Sequence, residues 1–446
     1  MPTRNFRSTI FGLFALTFFV ACFASAGFAS GPQTHLLYTF PGMPNGGGPT
    51  STLIADSAGN LYGTTSDGGD SENCIWSGGA QDGCGAIFEL SPKSGGGYTE
   101  TVLYSFQDSS DGAMPYGGLV MDSAGNLYGA AALGGNGLED LPGTIYELSP
   151  PAGGAGSWTF TKLYTFQSSS TDGITPYGTL IFDHAGNLYG TTGGGGTSND
   201  GTVFELSPPS APGGSWTEKV LFSFSGSDGS EPFAGLYLDG AGNLYGTTVY
   251  GGYTGEEPCT GSGCGVVFKL SLGSSGTWTE MVLHEFKFDI GTDGRYPYGG
   301  LAYHNGNFYG TVWSAPGYGG EVFQLTPGHG GPWTFSVIHP FNQGGDGSAP
   351  YSAVTIDSAG NLYGTTTGGG NAAGAGGIVY KLSPPAESGD PWTETILENF
   401  PSGAESDPVG GLLLRDNKLF GTTAACQGQF WEGCSDSGTV FSVTNF

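Results

Sequence analysis

Basic residues are scarce in this sequence. The 446 residues include 11 Lys and Arg against 39 Asp and Glu, which gives a formal net charge of −28. A chain this acidic is repelled by the phosphates of nucleic acids and by anionic membrane surfaces, so we expect neither as a partner. The acidic residues are scattered rather than gathered in runs, which is typical of a solvated surface.

Long hydrophobic runs are absent beyond the N-terminus. One apolar run, Ile10–Phe23, follows a positively charged start and precedes the small residues Ala24–Ala26. This is the pattern of a cleavable signal peptide, and the run is short for a membrane span. We therefore predict a signal peptide over residues 1–26 and a secreted, periplasmic or cell-surface protein. A lipoprotein anchored through Cys22 is the alternative interpretation.

Catalytic signatures are also missing. The sequence has no G-x-S-x-G, no H-E-x-x-H and no P-loop motif. The histidines fall in unrelated repeat positions, so we expect no shared histidine cluster. The sequence as a whole predicts neither a cofactor nor a metal site. The histidines are His35, His184, His284, His304, His329 and His339.

Six cysteines follow the predicted signal peptide, and they form three local pairs. None has the C-x-x-C spacing of a zinc site, and an even number in an exported chain predicts disulfides. The expected pairs are Cys74/Cys84, Cys259/Cys264 and Cys426/Cys434.

Glycine and aromatic residues, in contrast, are abundant, with 86 glycines and 13 % aromatics. Together they favour many short strands joined by tight turns rather than disorder. The peptide DSAGNLYG occurs three times, and its Tyr-Gly step recurs seven times, once as Phe-Gly, about every 60 residues. Such a period indicates a solenoid or a propeller. The glycines of this step in the seven copies are Gly63, Gly129, Gly190, Gly246, Gly310, Gly364 and Gly421.

Each repeat contains four strand-like segments and no helical periodicity. In the second copy they are residues 118–122, 126–129, 143–148 and 158–166. Seven such repeats predict an all-β, seven-bladed propeller with four-stranded blades, forming one domain over residues 27–446. DSAGN would supply the turn between the first two strands, and the Tyr-Gly step would let neighbouring blades approach closely.

The two ends of the chain predict how the ring closes. Residues 35–40 match a fourth strand, whereas residues 438–443 match a third strand. The last blade thus lacks one strand, and the N-terminus carries a spare one. Pairing them would complete blade 7 and remove an open sheet edge.

The combination GGLVMDSAGNLYGAA…GTIYELSP…WTFTKLYTF resembles the gloVer tandem repeat, found in predicted exported bacterial proteins, over nearly all of the chain after the signal peptide. DSAGNLYG by itself is also distantly similar to NHL-type propeller repeats, although the period here is longer. The resemblance implies export and a tandem β architecture. It implies no reaction and no catalytic residues.

The loops between blades carry the candidate site, because they read Asp-Gly-x-x-Pro-aromatic. They should share one face of the propeller with the loops between second and third strands, which hold the cysteine pairs. Aromatic rings beside carboxylates suit sugars. Alternatively, the motif is structural: the aspartate starts a turn, proline stiffens it and the ring packs between blades. The candidate rings are Tyr116, Tyr177, Phe233, Tyr298 and Tyr351, and the acids are Asp111, Asp172, Asp228, Asp293 and Asp346. Three tryptophans outside the repeat pattern join them, Trp76, Trp313 and Trp431.

These features predict a non-enzymatic binding or interaction propeller, monomeric, with a polysaccharide or an envelope protein as its partner. One alternative is a carbohydrate-active hydrolase or lyase that uses the loop aspartates. Another is a purely structural envelope protein. Residues 66–72 and 108–112 place acids near glycines, but neither fits a calcium loop, so solvated loops are favoured over calcium sites.

Overall fold

The computed structural model describes residues 31–71, 74, 83–107, 110–135, 142–154, 156–167, 169, 171–211, 213–289, 293–328, 331–342, 344–370, 376–387, 389–403, 405–424 and 438–446. The regular structure in these residues is β-strand, and no helix among them is long and apolar enough to cross a membrane. The predicted signal peptide lies outside the described residues.

Seven four-stranded antiparallel sheets, the blades, are arranged in a ring. The first strands are Ile54–Ala55, Val120–Met121, Ile181–Phe182, Tyr237–Leu238, Ala302–His304, Thr355–Ile356 and Leu413–Arg415. The second strands are Leu61–Thr65, Leu127–Ala131, Leu188–Thr192, Leu244–Thr248, Asn307–Val312, Leu362–Thr366 and Lys418–Thr423.

The third and fourth strands complete each blade on its outer side. The third strands are Ala86–Pro92, Thr144–Ser149, Thr202–Ser207, Val266–Leu272, Glu321–Thr326, Ile378–Ser383 and Gly438–Thr444. The fourth strands are Tyr98–Ser105, Thr159–Thr165, Thr217–Ser223, Trp278–Glu285, Thr334–Pro340, Thr393–Asn399 and, for blade 7, Gln33–Phe40. The predicted seven-bladed propeller is therefore confirmed.

The N-terminal strand closes the ring as predicted. Gln33–Phe40 pairs antiparallel with Gly438–Thr444, from Gln33 opposite Thr444 to Phe40 opposite Gly438. The sheet of blade 7 is thus built from both ends of the chain, and its third strand has a partner on each side.

The repeated peptide forms the turn between first and second strands. Asp56 folds back on it: its carboxylate accepts hydrogen bonds from the amides of Ala58 (2.9 Å) and Asn60 (3.0 Å), from the Asn60 side chain (2.8 Å) and from the Tyr62 hydroxyl (3.2 Å). Partial burial alone would raise the pKa of Asp56, but these hydrogen bonds outweigh it and lower the pKa below its ordinary value. The aspartate therefore holds the turn as an anion.

Blades 5 and 7 use a shorter turn between their first and second strands. Asn305-Gly306 and Asp416-Asn417 all have positive φ, and the strands pair directly on either side of them. This is the two-residue hairpin that asparagine and glycine favour.

Residues of the second strand face in alternating directions. Leu61 packs in a cluster with Phe40 and Val440 of blade 7, whereas Tyr62 contacts Trp158 of blade 2 at a ring distance of 6.1 Å. Each second strand thus joins the core of the preceding blade to that of the following one.

The glycine of the Tyr-Gly step serves blade packing in a way that differs from the prediction. A Cβ at Gly63 would lie 2.6 Å from Cζ of Phe88, on the third strand of the same blade. The glycine therefore makes room for this ring rather than for the neighbouring blade itself. The ring of Phe88 in turn packs edge-on against Phe40 of the preceding blade, with centroids 5.0 Å apart.

This aromatic pair recurs at all seven blade boundaries, and its rings are buried. The pairs are Phe40–Phe88, Phe106–Tyr146, Phe166–Phe204, Phe224–Phe268, Phe286–Phe323, Phe341–Tyr380 and Phe400–Phe441. Burial of such rings is the largest apolar contribution that single side chains make, so the boundaries hold much of the core.

Candidate functional site

A cavity of about 400 Å³ lies where the seven blades meet. Its walls come from the segments that lead into the first strands, three residues from each blade in most cases. Blades 2 to 6 each contribute one aromatic ring, whereas blades 1 and 7 contribute only small or aliphatic residues, Thr50–Thr52 and Val409–Gly411. The cavity is therefore aromatic on one side and roomier on the other.

The five predicted rings come together in this wall as a continuous arc. Neighbouring centroids lie 5.6, 4.8, 6.4 and 4.6 Å apart in the order Tyr116, Tyr177, Phe233, Tyr298 and Tyr351. The ring planes of Tyr298 and Tyr351 are nearly parallel, at 18°. The rings pack on one another and line the cavity at the same time.

Burial also raises the pKa of tyrosine hydroxyls in the arc. It raises the pKa of Tyr177 to about 12, with a smaller contribution from the charge of Glu231, and it raises the pKa of Tyr116 further, helped by Asp67. The tyrosines are therefore neutral at physiological pH, and their hydroxyls remain hydrogen-bond donors.

The residue before each loop proline fixes where the rings stand. Its φ lies between 53° and 62° in blades 2 to 7, although none of these residues is glycine. The amide of Thr175, for example, donates a hydrogen bond to Pro142 O of the preceding blade (3.1 Å), and its carbonyl accepts one from the amide of Gly193 in the following blade (2.9 Å). Tyr177 comes two residues later. This strained conformation is maintained by bonds on both sides, so the ring is positioned rigidly.

The predicted aspartates are placed differently from the rings. Asp111 accepts hydrogen bonds from the hydroxyl of Tyr104, on the preceding fourth strand (2.6 Å), and from the Gln107 amide of its own loop (3.1 Å). The other four accept hydrogen bonds from backbone amides of their own loops in the same manner. None of the five lines the cavity, and the described lining contains no carboxylate. The four loop aspartates other than Asp111 are Asp172, Asp228, Asp293 and Asp346.

Trp313 lies at the rim of the same face. It is 38 % exposed, and its ring is 6.4 Å from that of Tyr296. The guanidinium of Arg295 lies over the Tyr296 ring, 4.6 Å from its centroid. The bridge between Arg295 and Ser314 shows that the interblade loop and the segment after the second strand meet on one face, as predicted. Trp76 and Trp431 lie outside the described residues.

Two of the three predicted disulfides are confirmed, Cys74–Cys84 and Cys259–Cys264. The third pair, Cys426 and Cys434, lies outside the described residues. The disulfides indicate an oxidising, extracytoplasmic environment. In the candidate calcium segment Asp67 is buried and accepts a hydrogen bond from Ser66 (2.9 Å), while Asp70 accepts one from Gln107 (3.0 Å). The first is thus part of the local fold.

A second group of ionisable side chains lies between the outer strands of neighbouring blades, and sequence analysis missed it. Three positions meet at the boundaries that carry a loop aspartate: a residue late in one fourth strand, the aspartate after it, and a residue early in the next fourth strand. The early residue is a glutamate in several blades. Burial and the charge of the loop aspartate raise the pKa of Glu218, Glu280 and Glu394 to about 7.

The expectation that the histidines occupy unrelated positions is wrong. His284 and His339 lie at the same position of consecutive fourth strands, opposite Val267 and Val322. The HEF and HPF segments carry this signal, since each histidine precedes the boundary phenylalanine by two residues. His339 lies with Asp346 and Glu394, and burial lowers the pKa of its imidazole, opposed by the charge of Asp346. The imidazole is therefore neutral at physiological pH.

Fold and site together define an extracytoplasmic seven-bladed β-propeller with an aromatic central cavity. The chain belongs to the Gloeobacter/Verrucomicrobia repeat family, whose model matches residues 73–317 and 258–445. This confirms the resemblance seen in the sequence. No curated protein matches the chain.

Three solved structures are similar to it, each of them distantly. A luciferin-regenerating enzyme is 15 % identical, with a TM-score of 0.42 over 73 % of this chain and 90 % of that one. An ancestral GH74 enzyme is 14 % identical, with a TM-score of 0.46 over 76 % of this chain, which spans only 42 % of that enzyme. The PQQ-bound aldose sugar dehydrogenase from Streptomyces coelicolor is 13 % identical, with a TM-score of 0.40 over 93 % and 99 %. Likeness at this level carries no argument about activity.

Proposed function

We propose that the protein is an exported, non-enzymatic binding propeller whose central cavity accepts sugar rings of a polysaccharide. The observation that carries this proposal is the arc of five aromatic rings in the wall of one cavity. Its volume falls within the range of small-molecule binding sites. Export is part of the proposal because the N-terminal pattern and the disulfides agree on it.

The composition of the wall suits a neutral, ring-shaped ligand. Tyrosine and phenylalanine offer apolar faces to the C–H groups of a sugar, and tyrosine adds a hydroxyl. Opposite the arc, the hydroxyls of Thr50, Ser51 and Thr52 and the backbone of Gly410 and Gly411 supply polar contacts without filling the space. One side of the cavity would stack on the ligand, and the other would orient it.

The same geometry favours binding over hydrolysis. A glycosidase needs two carboxyl groups flanking the scissile bond. The loop aspartates are instead engaged with the amides of their own loops, and the described cavity wall contains none of them. The hydrolase alternative therefore lacks a carboxylate at the place where the rings would hold a sugar.

A glycan array followed by calorimetric titration tests the proposal. We expect the purified protein to bind at least one polysaccharide class, and Tyr298→Ala to weaken that binding about 5–10-fold, because one stacking ring contributes roughly 1 kcal/mol. Tyr303→Ala is the matched control, since Tyr303 is 46 % exposed and lies outside the cavity wall. Absence of any bound glycan, or equal loss in both variants, would contradict the proposal.

Turnover provides a separate measurement. Incubation with the polysaccharide that binds should release no reducing ends. Release of reducing ends that disappears in Asp172→Asn would show that the protein is a hydrolase instead.

A further inference from the structure

The boundary between blades 5 and 6 brings together three side chains that bind metals elsewhere in proteins. His339 comes from the fourth strand of blade 5, Asp346 from the loop that follows, and Glu394 from the fourth strand of blade 6. One ligand atom of each lies within 4.8 Å of the other two. We propose that these residues form a binding site for one divalent zinc-class ion, which joins the two blades. The proposal is independent of the cavity's ligand.

The spacing of the ligand atoms is the first argument. His339 Nε2 and Glu394 Oε1 are 3.6 Å apart, too far for a hydrogen bond. Both atoms are buried and have no hydrogen-bond partner among the described residues. Two ligands at about 2.1 Å from a tetrahedral zinc stand roughly 3.4 Å apart. The gap therefore matches a shared ion better than a direct contact, and an ion would satisfy two buried polar atoms at once.

Comparison with the preceding boundary is the second argument. There His284 Nε2 lies 3.1 Å from Asp293 Oδ2, a direct hydrogen bond, and the third position is Phe335, which stacks on the imidazole at 4.0 Å. At the blade 5–6 boundary the histidine does not bond its aspartate. Asp346 instead takes hydrogen bonds from the amide (3.2 Å) and the side chain (2.8 Å) of Asn342. Its carboxylate oxygens keep further lone pairs for an ion.

The combination of ligand types is confined to this boundary within the described residues. The boundary between blades 3 and 4 has Asp228 and Glu280, but Phe222 stands in place of the histidine. Among the described residues, the His339 group is the only one that brings three such ligand atoms together. A boundary with two carboxylates and no imidazole thus provides a natural control.

The chemistry of the ligands indicates the ion. Two carboxylates and one neutral imidazole balance a charge of +2, and imidazole favours zinc and similar transition metals over calcium and magnesium. Three protein ligands leave a coordination position for water. Because the loop that carries Asp346 continues to Tyr351 in the cavity wall, the ion would also hold one ring of the arc in place.

The test uses the full-length protein, freed of metal with a chelator and titrated with zinc chloride in the presence of a competing chromophoric chelator. We expect one saturable site and a higher Tm with zinc. His339→Gln and Glu394→Gln should each weaken binding at least about tenfold, because loss of a ligand costs more than loss of its outer partner. Glu280→Gln, the same position at the blade 3–4 boundary, should bind zinc as the wild type does.

Cobalt substitution gives an independent readout, since visible absorption bands report the ligands directly. We expect these bands in the wild type and in Glu280→Gln, and their loss in His339→Gln. Circular dichroism of each variant ensures that loss of binding is not loss of folding. No saturable zinc binding in the folded wild type, binding unchanged in His339→Gln, or a preference for calcium over zinc would overturn the proposal.

Discussion

Ring closure by the N-terminal strand predicts that Phe40 stabilises the protein as much as a phenylalanine inside the chain does. Phe40 is 1 % exposed and contacts Phe88, whereas Phe166 is 0 % exposed and makes the equivalent contact with Phe204 at 5.2 Å. Replacing a buried phenylalanine by alanine costs about 3–5 kcal/mol. We expect this loss for Phe40→Ala and, equally, for its matched control Phe166→Ala.

The assay is urea unfolding together with calorimetry. With an unfolding entropy of about 2.1 cal/mol/K per residue, a ring of roughly 400 residues loses about 4–6 °C in Tm for that cost. Deletion of residues 31–40 should be more severe, because it also leaves Gly438–Thr444 as an open edge. A variant Phe40→Ala that melts with the wild type while Phe166→Ala melts lower would refute closure by this strand.

Further predictions concern packing, blade contacts and pH. Gly190→Ala should lower the free energy of unfolding by about 1–3 kcal/mol, measured with urea, because the new Cβ would lie 2.6 Å from Phe204. Gly240→Ala, whose Cβ would meet nothing within 4 Å, should be neutral or slightly stabilising. Equal effects of the two variants would contradict the packing argument. Thr191→Ala should cost about 1 kcal/mol, since Thr191 Oγ1 donates to Ala234 O of the next blade at 2.9 Å, and an unchanged midpoint would argue against this contact. The pKa of the Glu218 carboxyl is raised from 4.5 to about 7 in the folded protein, so protonation of Glu218 favours the folded state. This contribution to stability is fully present below pH 4.5 and is lost as the pH rises through 7. Tm should therefore fall between pH 5 and pH 8. Glu218→Gln should make this fall smaller without abolishing it, because the pKa of Glu280 and of Glu394 is raised in the same way. Glu387→Gln, at an exposed position, should leave the fall unchanged.

The blade count and the closure were accessible from the sequence because both depend on local patterns. Seven Tyr-Gly steps and two unmatched terminal strands sufficed. The first strands were predicted too long: residues 118–122 shrink to Val120–Met121. The segment just before them is not paired within its blade, because the Gly117 carbonyl accepts a hydrogen bond from the Thr64 hydroxyl of the preceding blade instead (3.1 Å). Such a contact between repeats leaves no signature in the strand itself.

The site was predictable only in part for the same reason. The motif places an aromatic residue after proline. Because the blades are arranged in a ring, the repeat brings these residues, from Tyr116 to Tyr351, to the central axis. The motif does not show which way an aspartate turns, because the amide that Asp111 accepts from, Gln107, precedes it in an irregular loop. His339 and Glu394 belong to different repeats, so their meeting depends on how far one blade is offset from the next.

The outer boundary positions also bear on how the repeat array could change in evolution. Tyr38 bonds Glu100 (2.8 Å), Tyr104 stacks on Phe160 (4.2 Å), and His284 stacks on Phe335 (4.0 Å), so these three blade boundaries each join a different pair. A duplicated or transposed blade would bring two unmatched edges into the ring, even though its internal strands were intact. The repeats are similar in sequence, but the side chains that meet at the blade boundaries depend on the order of the blades. The array should therefore tolerate a substitution within a blade more readily than the gain or exchange of a whole blade.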